Sequence, residues 1–180
     1  ADGMKSIKPL FGLVPQDIAL FPTMTAYENL KILGGLYGIQ KSLLEKRINE
    51  LLELFDLSAS RHSYINRFSG VMKRRVNLIA GMLRAPKILI LDEPTVGVDA
   101  QSRRLILEKL VDINRSGTTI LFISHYLEEA EQICTEVAFM DNGSVICQGP
   151  PSDLRDIYKS CDSMESMYLL ITGKRMRDNQ

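Results

Sequence analysis

Apolar residues recur at helical spacing in the first third of the chain. Thr25 and Glu28 have the spacing of a capping box, which predicts the start of a helix. Ser42 and Glu45 repeat this spacing and predict the start of a second helix. The apolar positions of the second helix form one stripe, made of Leu44, Ile48, Leu51, Leu52 and Phe55. We therefore expect the two helices to form one helical unit with a buried stripe.

A third amphipathic helix is predicted after Ser69 and Gly70. Its apolar face consists of Met72, Val76, Ile79, Ala80 and Leu83, and its opposite face carries Lys73, Arg74 and Arg75. Pro86 lacks the backbone N–H that a helix needs, so the helix has to end before it. The pattern predicts one packed face and one exposed, positively charged face.

Three apolar runs predict strands, and they cover residues 8–15, 87–91 and 118–124. An unbroken apolar run, such as the second, is typical of parallel strands that helices cover on both faces. A further helix is predicted at residues 99–115, with Gly117 at its end. Its apolar face is made of Leu105, Ile106, Leu110 and Ile113.

The last third of the chain contains shorter elements. Strands at residues 137–140 and 144–147 flank Asn142-Gly143, a pair that favours the type I′ turn of a β-hairpin. Short helices are predicted at residues 127–133, 152–158 and 165–171. The order of the elements predicts an α/β fold in which a sheet carries a helical insertion.

The composition is that of one globular domain in a reducing compartment. The 180 residues are 45% hydrophobic, which is enough for a single core. Lys and Arg balance Asp and Glu at 22 each, so no charge excess indicates binding to nucleic acid or to a membrane surface. The three cysteines lack the spacing of a zinc site or a disulfide framework and are predicted to be packing residues. Without a signal peptide pattern, cytoplasm is the expected compartment.

Polar side chains follow each of the three predicted strands. Gln16 follows the first strand, Asp92 and Glu93 follow the second, and His125 follows the third. Open parallel sheets bind ligands beyond the carboxyl ends of their strands. There, one carboxylate can hold Mg²⁺ while its neighbour orients or deprotonates a water molecule that attacks phosphorus. A histidine can hydrogen-bond the terminal phosphate, and a glutamine can complete the shell of the metal.

Each of these residues also has a simpler explanation when it is taken alone. Asp92, Glu93 and Pro94 fit an ordinary turn after a strand, and His125 fits a hydrogen-bonded structural histidine. Gln16 by itself indicates nothing. The simpler explanation has to account for four such residues at three strand ends, so we favour a phosphate-handling site.

Four motifs resemble those of the ATP-binding domains of ABC transporters, in the order and approximate spacing of that family. Residues 88–99, ILILDEPTVGVD, are similar to a Walker B strand followed by a D-loop. Residues 69–75, SGVMKRR, resemble the signature motif, residues 14–16 resemble the Q-loop, and residues 123–125 resemble the H-loop. The resemblance covers essentially the whole chain and implies a P-loop NTPase-like parallel sheet core with an inserted helical subdomain.

The resemblance also implies how the chain is divided. The helical signature subdomain would occupy about residues 17–85, the Walker B and H-loop core residues 86–150, and C-terminal helices residues 151–180. The sequence variants VGVD and SHYLEEAE resemble those of the family branch that drives efflux of drugs, lipids, polysaccharides or sodium. The C-terminal sequence at residues 165–177 also resembles that of this branch. Export is therefore the expected direction of transport.

The resemblance implies a role for each candidate residue, with ATP and Mg²⁺ as the cofactors. Asp92 would hold Mg²⁺, Glu93 would be the general base or orient the water molecule, and His125 would sense the γ-phosphate. Gln16 would take part in catalysis and in the metal shell, and would link the metal to a transmembrane partner. Asp99 would contact a second ATP-binding domain.

In this family two ATP-binding domains associate head to tail and bind two ATP molecules between them. Ser69 and Gly70 would bind the γ-phosphate held by the other subunit, since the exposed N–H groups and the dipole of a helix N-terminus favour an anion. Val71 departs from the signature motif, which normally has a second glycine there that lets the backbone approach the phosphate. Either the opposing nucleotide site is weakened, or the helix shifts slightly.

The phosphate-binding loop G-x-x-x-x-G-K-[ST] is absent from the sequence. The only Gly-Lys pair, Gly173-Lys174, is followed by Arg175. Without that loop, the β- and γ-phosphates of ATP lose most of the contacts that bind them. We expect that the phosphate loop and the N-terminal strands are missing by truncation rather than by degeneration.

The leading interpretation is an ATP-binding and hydrolysing subunit of an ABC-type efflux transporter. It would dimerise and lie on the inner face of the membrane through a permease partner, without a nucleic-acid partner, and this fragment alone would be inactive. Two alternatives stay open. A soluble, non-transport ABC ATPase should carry a coiled-coil insertion or a basic patch, and the sequence has neither. The other alternative is a non-catalytic remnant that only dimerises or regulates.

Overall fold

The structure is a computed structural model that describes residues 7–173. It divides into two compact units, Ala1–Ile123 and Ser124–Gln180. Each unit has buried apolar residues of its own, among them Leu30, Ile48, Leu78, Leu89 and Leu110 in the first unit and Val137, Phe139, Leu154, Met164 and Met167 in the second.

The first unit contains three strands and four α-helices within the described residues. In chain order they are β1 (Phe11–Val14), α1 (Ala26–Leu36), α2 (Lys41–Leu54), α3 (Gly70–Met82), β2 (Ile88–Asp92), α4 (Ala100–Arg115) and β3 (Thr119–Ile123). Short 3-10 helices lie at Lys8–Leu10, Ser58–Ser60 and Ile65–Arg67. The second unit contains α5 (Leu127–Ile133), β4 (Val137–Asp141), β5 (Ser144–Gly149), α6 (Pro151–Ile157) and α7 (Met164–Thr172).

The three strands of the first unit form a parallel sheet in the order β1-β2-β3. Helices α1 to α3 are inserted in the chain between β1 and β2, which pair directly with each other. This confirms the predicted α/β fold with a helical insertion. The first predicted strand is shorter than expected, because Lys8–Leu10 form a 3-10 helix with Pro9 in its first turn, and β1 begins only at Phe11.

The two faces of this sheet differ in exposure. On one face Val14, Leu89 and Leu91 are fully buried. The opposite face presents side chains that are 39–60% exposed, namely Phe11, Leu13, Leu121 and Ile123. Unbroken apolar strands predict a sheet covered on both faces, and within residues 7–173 only one face is covered.

We expect the 180-residue chain to self-associate through the uncovered face, because a contiguous apolar patch favours burial against another molecule. Replacing Leu13 and Leu121 with lysine should shift the chain towards the monomer in sedimentation-velocity experiments. Leu36→Lys is the matched control, since Leu36 is 77% exposed on α1, away from the sheet. A chain that is monomeric without any substitution, or that responds equally to all three changes, would contradict this prediction.

Helix α3 packs against β1 through two glycines. A Cβ atom on Gly12 would lie 2.2 Å from the carbonyl oxygen of Gly81, and a Cβ atom on Gly81 would lie 2.5 Å from Cγ2 of Val14. Any larger residue at either position would push the helix away from the strand. This close contact fixes the position of α3 against β1, the strand that precedes Gln16.

Several predictions about the helices are confirmed, and three are corrected, two of them in α2 and α4 and one in α3. The capping box of Thr25 and Glu28 is present at the start of α1. The second box is not formed, because α2 begins at Lys41 with Gln40 as its N-cap, and Ser42 lies inside the first turn. In α4, Leu105 is 39% exposed and Leu107 is buried in its place, since Leu107 precedes Leu110 by one helical turn.

The burial of Arg74 corrects the predicted exposure of one face of α3, and this correction bears most on function. The pattern of α3 predicts an exposed, charged face, but Arg74 is only 7% exposed. Its guanidinium group reaches the loop that follows β1 and donates a hydrogen bond to a backbone carbonyl there. The reason is tertiary: a long polar side chain can be buried where it satisfies a backbone group that has no other partner nearby.

The second unit contains the predicted hairpin. Asn142 and Gly143 both have positive φ angles, of 49° and 78°, as a type I′ turn requires, and they connect β4 to β5. The three cysteines of the chain pack against the core of this unit without forming disulfides, as predicted. Burial raises the pKa of the Cys134 thiol, which keeps it in its unreactive form.

Candidate functional site

Three of the predicted site residues lie at or just beyond the carboxyl ends of the neighbouring strands β1 and β2. Val14 and Leu91 are paired, so Gln16 and the two acidic residues follow adjacent strands at the same edge of the sheet. Gln16 is exposed, and Asp92 and Glu93 are half-buried. These side chains supply amide and carboxylate oxygens at one end of the sheet, and one oxygen of Glu93, Oε2, is buried.

Glu93 stands in an uncommon backbone conformation. Its φ angle is 47°, in the left-handed region that non-glycine residues seldom adopt. Its N–H donates a hydrogen bond of 2.9 Å to the carbonyl of Ile123, so the ladder between β2 and β3 continues one residue beyond β2. Strained backbone of this kind is concentrated at functional sites. The pairing with β3 therefore holds the Glu93 backbone in place while the chain turns sharply out of the sheet.

The chain that leaves this site ends at Asp99, the N-cap of α4. The Asp99 carboxylate accepts a hydrogen bond of 2.9 Å from the N–H of Ser102, and this bond lowers the pKa of the Asp99 carboxyl. Asp99 is exposed, and its contact with a second subunit stays a prediction. A helix cap is the structural role that can be observed directly.

The N-terminus of α3 is exposed. Ser69 is its N-cap and accepts a hydrogen bond of 3.2 Å from the N–H of Met72. A Cβ atom on Gly70 would meet no atom within 4 Å, so the space in front of the first turn is open. Val71, in that turn, is half-buried. The positive end of a 13-residue helix favours an anion at this position.

His125 belongs to the second unit, where it precedes α5. Its ring lies beside that of Tyr126, with the ring centroids 4.1 Å apart and the planes at 38°. The N–H of Tyr126 donates a hydrogen bond of 3.0 Å to Oγ of Ser124, which closes a tight turn at this point. The role of His125 at a phosphate stays a prediction.

Two residues that sequence reasoning missed attach the Gln16 loop to α3. Asn77 and Arg74 donate hydrogen bonds to backbone carbonyls of residues 15–17, and Asn77 also accepts one from the N–H of Ala19. An asparagine between Val76 and Leu78, in a stretch of helix that is otherwise apolar, was the signal that could have revealed this contact.

The chemistry of the site suits magnesium. Carboxylate and amide oxygens are hard ligands of the kind that Mg²⁺ prefers, and Mg²⁺ usually takes only one or two of them from a protein beside water and phosphate. In the described part of the chain, His, Cys, Asp and Glu side chains do not gather in groups of three or more that could hold a metal ion without a substrate. Asp92 and Gln16 carry oxygen atoms of the kind that Mg²⁺ prefers, and their role at a metal stays a prediction.

The sheet with its inserted helices, and the acidic residues at its strand ends, define an α/β domain with candidate ligand-binding side chains at the carboxyl ends of parallel strands. The chain belongs to the ABC transporter family, which residues 2–96 match. This confirms the resemblance drawn from the four motifs.

Two curated relatives and one solved structure show the extent of the similarity. The linearmycin resistance ATP-binding protein LnrL of Bacillus subtilis (strain 168) is 45% identical over 82% of this chain and 47% of its own length. A Nod factor export ATP-binding protein I of Cupriavidus pinatubonensis is 39% identical over 86% of this chain and 47% of its own. The chain thus spans about half the length of these relatives.

The solved structure is that of an ATP-binding subunit of an ABC transporter. It superimposes with a TM-score of 0.81 at 28% identity, over 95% of this chain and 72% of its own. Within residues 7–173, no helix is both long enough and apolar enough to span a bilayer.

Proposed function

We propose that the full-length protein is the ATP-binding and hydrolysing subunit of an ABC-type efflux transporter. The observation that carries the proposal is the placement of Gln16, Asp92 and Glu93 at adjacent strand ends, in the same unit as the exposed N-terminus of α3. The names of the relatives support the direction of transport, since one is a Nod factor export protein and another confers linearmycin resistance.

In this proposal each residue has a defined part in the chemistry. Asp92 holds Mg²⁺ bound to ATP, and Gln16 completes the metal shell. Glu93 orients a water molecule or takes its proton, and His125 donates a hydrogen bond to the γ-phosphate. The magnesium ion neutralises phosphate charge when it is bound.

The proposed partners follow from the same assignment. Ser69 and Gly70 of one subunit face the nucleotide held by a second ATP-binding domain, in a homodimer or heterodimer, and Asp99 lies at that interface. A transmembrane permease subunit couples to the Gln16 loop and holds the protein on the inner face of the membrane.

Phosphate release by the full-length protein tests the function. We expect ATP hydrolysis that requires Mg²⁺ and stops when the metal is chelated. The 180-residue chain by itself is expected to bind Mg-ATP weakly and to hydrolyse none above background, because its sequence has no phosphate-binding loop. A full-length protein that dimerises but never hydrolyses ATP would favour a non-catalytic role, and activity without any membrane partner in the cell would favour a soluble ABC ATPase.

Val71→Gly in the full-length protein is expected to strengthen the ATP-bound dimer. Removing the side chain from the first turn of α3 opens the backbone N–H groups to an opposing γ-phosphate. The monomer should lose up to about 0.5 kcal/mol of stability, because glycine is a poorer helix former than valine. Sedimentation with Mg-ATP in the Glu93→Gln background measures the dimer fraction. If that fraction stays equal or falls, valine is accommodated and the signature motif is intact.

A further inference from the structure

The loop that carries Gln16 is held by the side of α3. Arg74 Nη1 donates a hydrogen bond of 2.6 Å to the carbonyl of Gln16. Asn77 Nδ2 donates to the carbonyls of Pro15 and Asp17, at 3.1 Å and 3.4 Å. Two side chains one turn apart on a helix thus satisfy three consecutive carbonyl groups of the loop.

Asn77 also accepts a hydrogen bond from this loop. Its Oδ1 atom receives the N–H of Ala19 at 3.2 Å, so both ends of the amide group are used. Asn77 is 2% exposed and Arg74 is 7% exposed, so water does not compete strongly for these bonds. Desolvation by burial lowers the pKa of Arg74, and the nearby Asp17 carboxylate opposes this shift.

The same loop is attached at its other end to a different helix. Asn29 of α1 is fully buried and makes three hydrogen bonds, two with the backbone N–H and carbonyl of Phe21 and one with the carbonyl of Thr25. The Gln16 half of the loop is therefore attached to α3, and the Phe21 half is attached to α1. Each half has one buried asparagine as its support.

Helix α3 cannot slide freely against this loop, because it also contacts β1 through Gly12 and Gly81. Its exposed N-terminus at Ser69 lies eight residues before Asn77, which is about 12 Å along the helix axis. A displacement of that N-terminus would therefore be transmitted to the backbone of Gln16 through hydrogen bonds rather than through loose packing.

We propose that Arg74 and Asn77 are positioning residues that couple Gln16 to the anion-facing end of α3. They hold the Gln16 backbone to the helix, so that the position of Gln16 follows the position of Ser69 and Gly70. The proposal rests on the proposed function, because Gln16 reaches the metal and the water molecule only in that assignment.

Hydrogen exchange without any nucleotide tests whether Arg74 and Asn77 hold the Gln16 loop against α3. In the 180-residue chain, Asn77→Ala should raise the exchange rate of the Ala19 amide about tenfold or more and leave the Phe21 amide protected. Asn29→Ala is the matched control, since it also removes a buried asparagine, one with two hydrogen bonds to Phe21 in the loop. This variant should raise the exchange rate of the Phe21 amide and leave the Ala19 amide protected. Mass spectrometry with single-residue fragmentation resolves the two amides. If both variants open both amides equally, the loop is not held in two independent halves, and the proposal fails.

A conservative pair keeps the test decisive if Asn77→Ala does not fold. Arg74→Met removes the bond to the Gln16 carbonyl but keeps an apolar stem, and Arg74→Lys restores a charged donor beside Asp17. We expect the Ala19 amide to lose protection in Arg74→Met and to regain most of it in Arg74→Lys. Equal exchange in the two variants would show that the bond to Gln16 does not hold the loop.

Kinetics of the full-length protein test the catalytic part. Asn77→Ala should lower kcat for ATP about tenfold while KM changes less than about twofold, because misplacement of one catalytic group affects the reaction more than binding. In a Gln16→Ala background the same substitution should have little further effect, since residues that act through one another are not additive.

The kinetic outcomes separate the two proposals. A full-length protein that does not hydrolyse ATP at all overturns the proposed function. Hydrolysis in which Asn77→Ala and Gln16→Ala reduce kcat independently overturns only the positioning role. Asn29→Ala, which should leave kcat within about twofold, controls for a general loss of stability.

Discussion

Glu93→Gln in the full-length protein is expected to lower the turnover number for ATP by about two orders of magnitude or more, while ATP binding persists. Glutamine keeps the shape of the side chain but cannot take a proton from water. It also leaves Asp92 in place as the metal ligand. The backbone at φ 47° and its hydrogen bond to Ile123 should be unaffected, since both residues are β-unbranched and similar in size. Phosphate release measures turnover, and calorimetry measures binding.

Glu108→Gln is a suitable control for this substitution. Glu108 is exposed on α4 and pairs with Arg104 at 2.9 Å, and a surface ion pair contributes little to stability. Turnover in that variant should stay within about twofold of the unsubstituted protein. Unchanged turnover in Glu93→Gln would remove Glu93 from the mechanism, and loss of ATP binding would assign it to the nucleotide site instead.

Local chemistry made much of the fold predictable. The capping box of Thr25 and Glu28 depends on three residues of spacing, and it is found where the sequence predicts it. The Asn142-Gly143 turn depends on the tolerance of these residues for positive φ, and it joins the predicted strands. The strands β2 and β3 were predictable because long apolar runs suit a buried parallel sheet.

The candidate site was predictable to the extent that it follows from strand order. Gln16, Asp92 and Glu93 lie at the ends of neighbouring strands because β1 and β2 pair in parallel, which places their carboxyl ends at the same end of the sheet. The strain at Glu93 was not predictable, since glutamate carries no local signal for a positive φ angle. It results from the turn that the chain makes while the backbone still pairs with β3.

The contacts of α3 show what a helical pattern cannot reveal. Helical periodicity placed Arg74 on an exposed face, because a charged residue beside Lys73 and Arg75 normally faces solvent. The partners of Arg74 and Asn77 lie 58 to 62 residues earlier in the chain, and only the tertiary fold brings the two segments together. Side-chain hydrogen bonds to a distant loop do not produce a periodic pattern of apolar and polar residues in the sequence.

Gly12→Ala is expected to destabilise the 180-residue chain by about 3 kcal/mol or more. The added Cβ atom would lie 2.2 Å from the carbonyl oxygen of Gly81 and 2.9 Å from Cγ of Pro86. The first of these atoms belongs to the backbone of α3, which cannot rotate away as a side chain can. The helix would have to leave the strand, and the buried surface between Val14 and α3 would open. Urea unfolding, followed by circular dichroism, measures the shift in the midpoint.

Gly35→Ala provides a control of opposite sign. Gly35 lies in α1, and a Cβ atom there would meet no atom within 4 Å, so only the backbone preference of the residue changes. Alanine is the better helix former by up to about 1 kcal/mol, and the substitution should raise the midpoint. The same chemical change therefore has opposite effects at two positions, and the space around each Cβ decides the sign. If Gly12→Ala left the midpoint unchanged, α3 would not be in close contact with β1, and the coupling of Gln16 to this helix would lose its support at the strand.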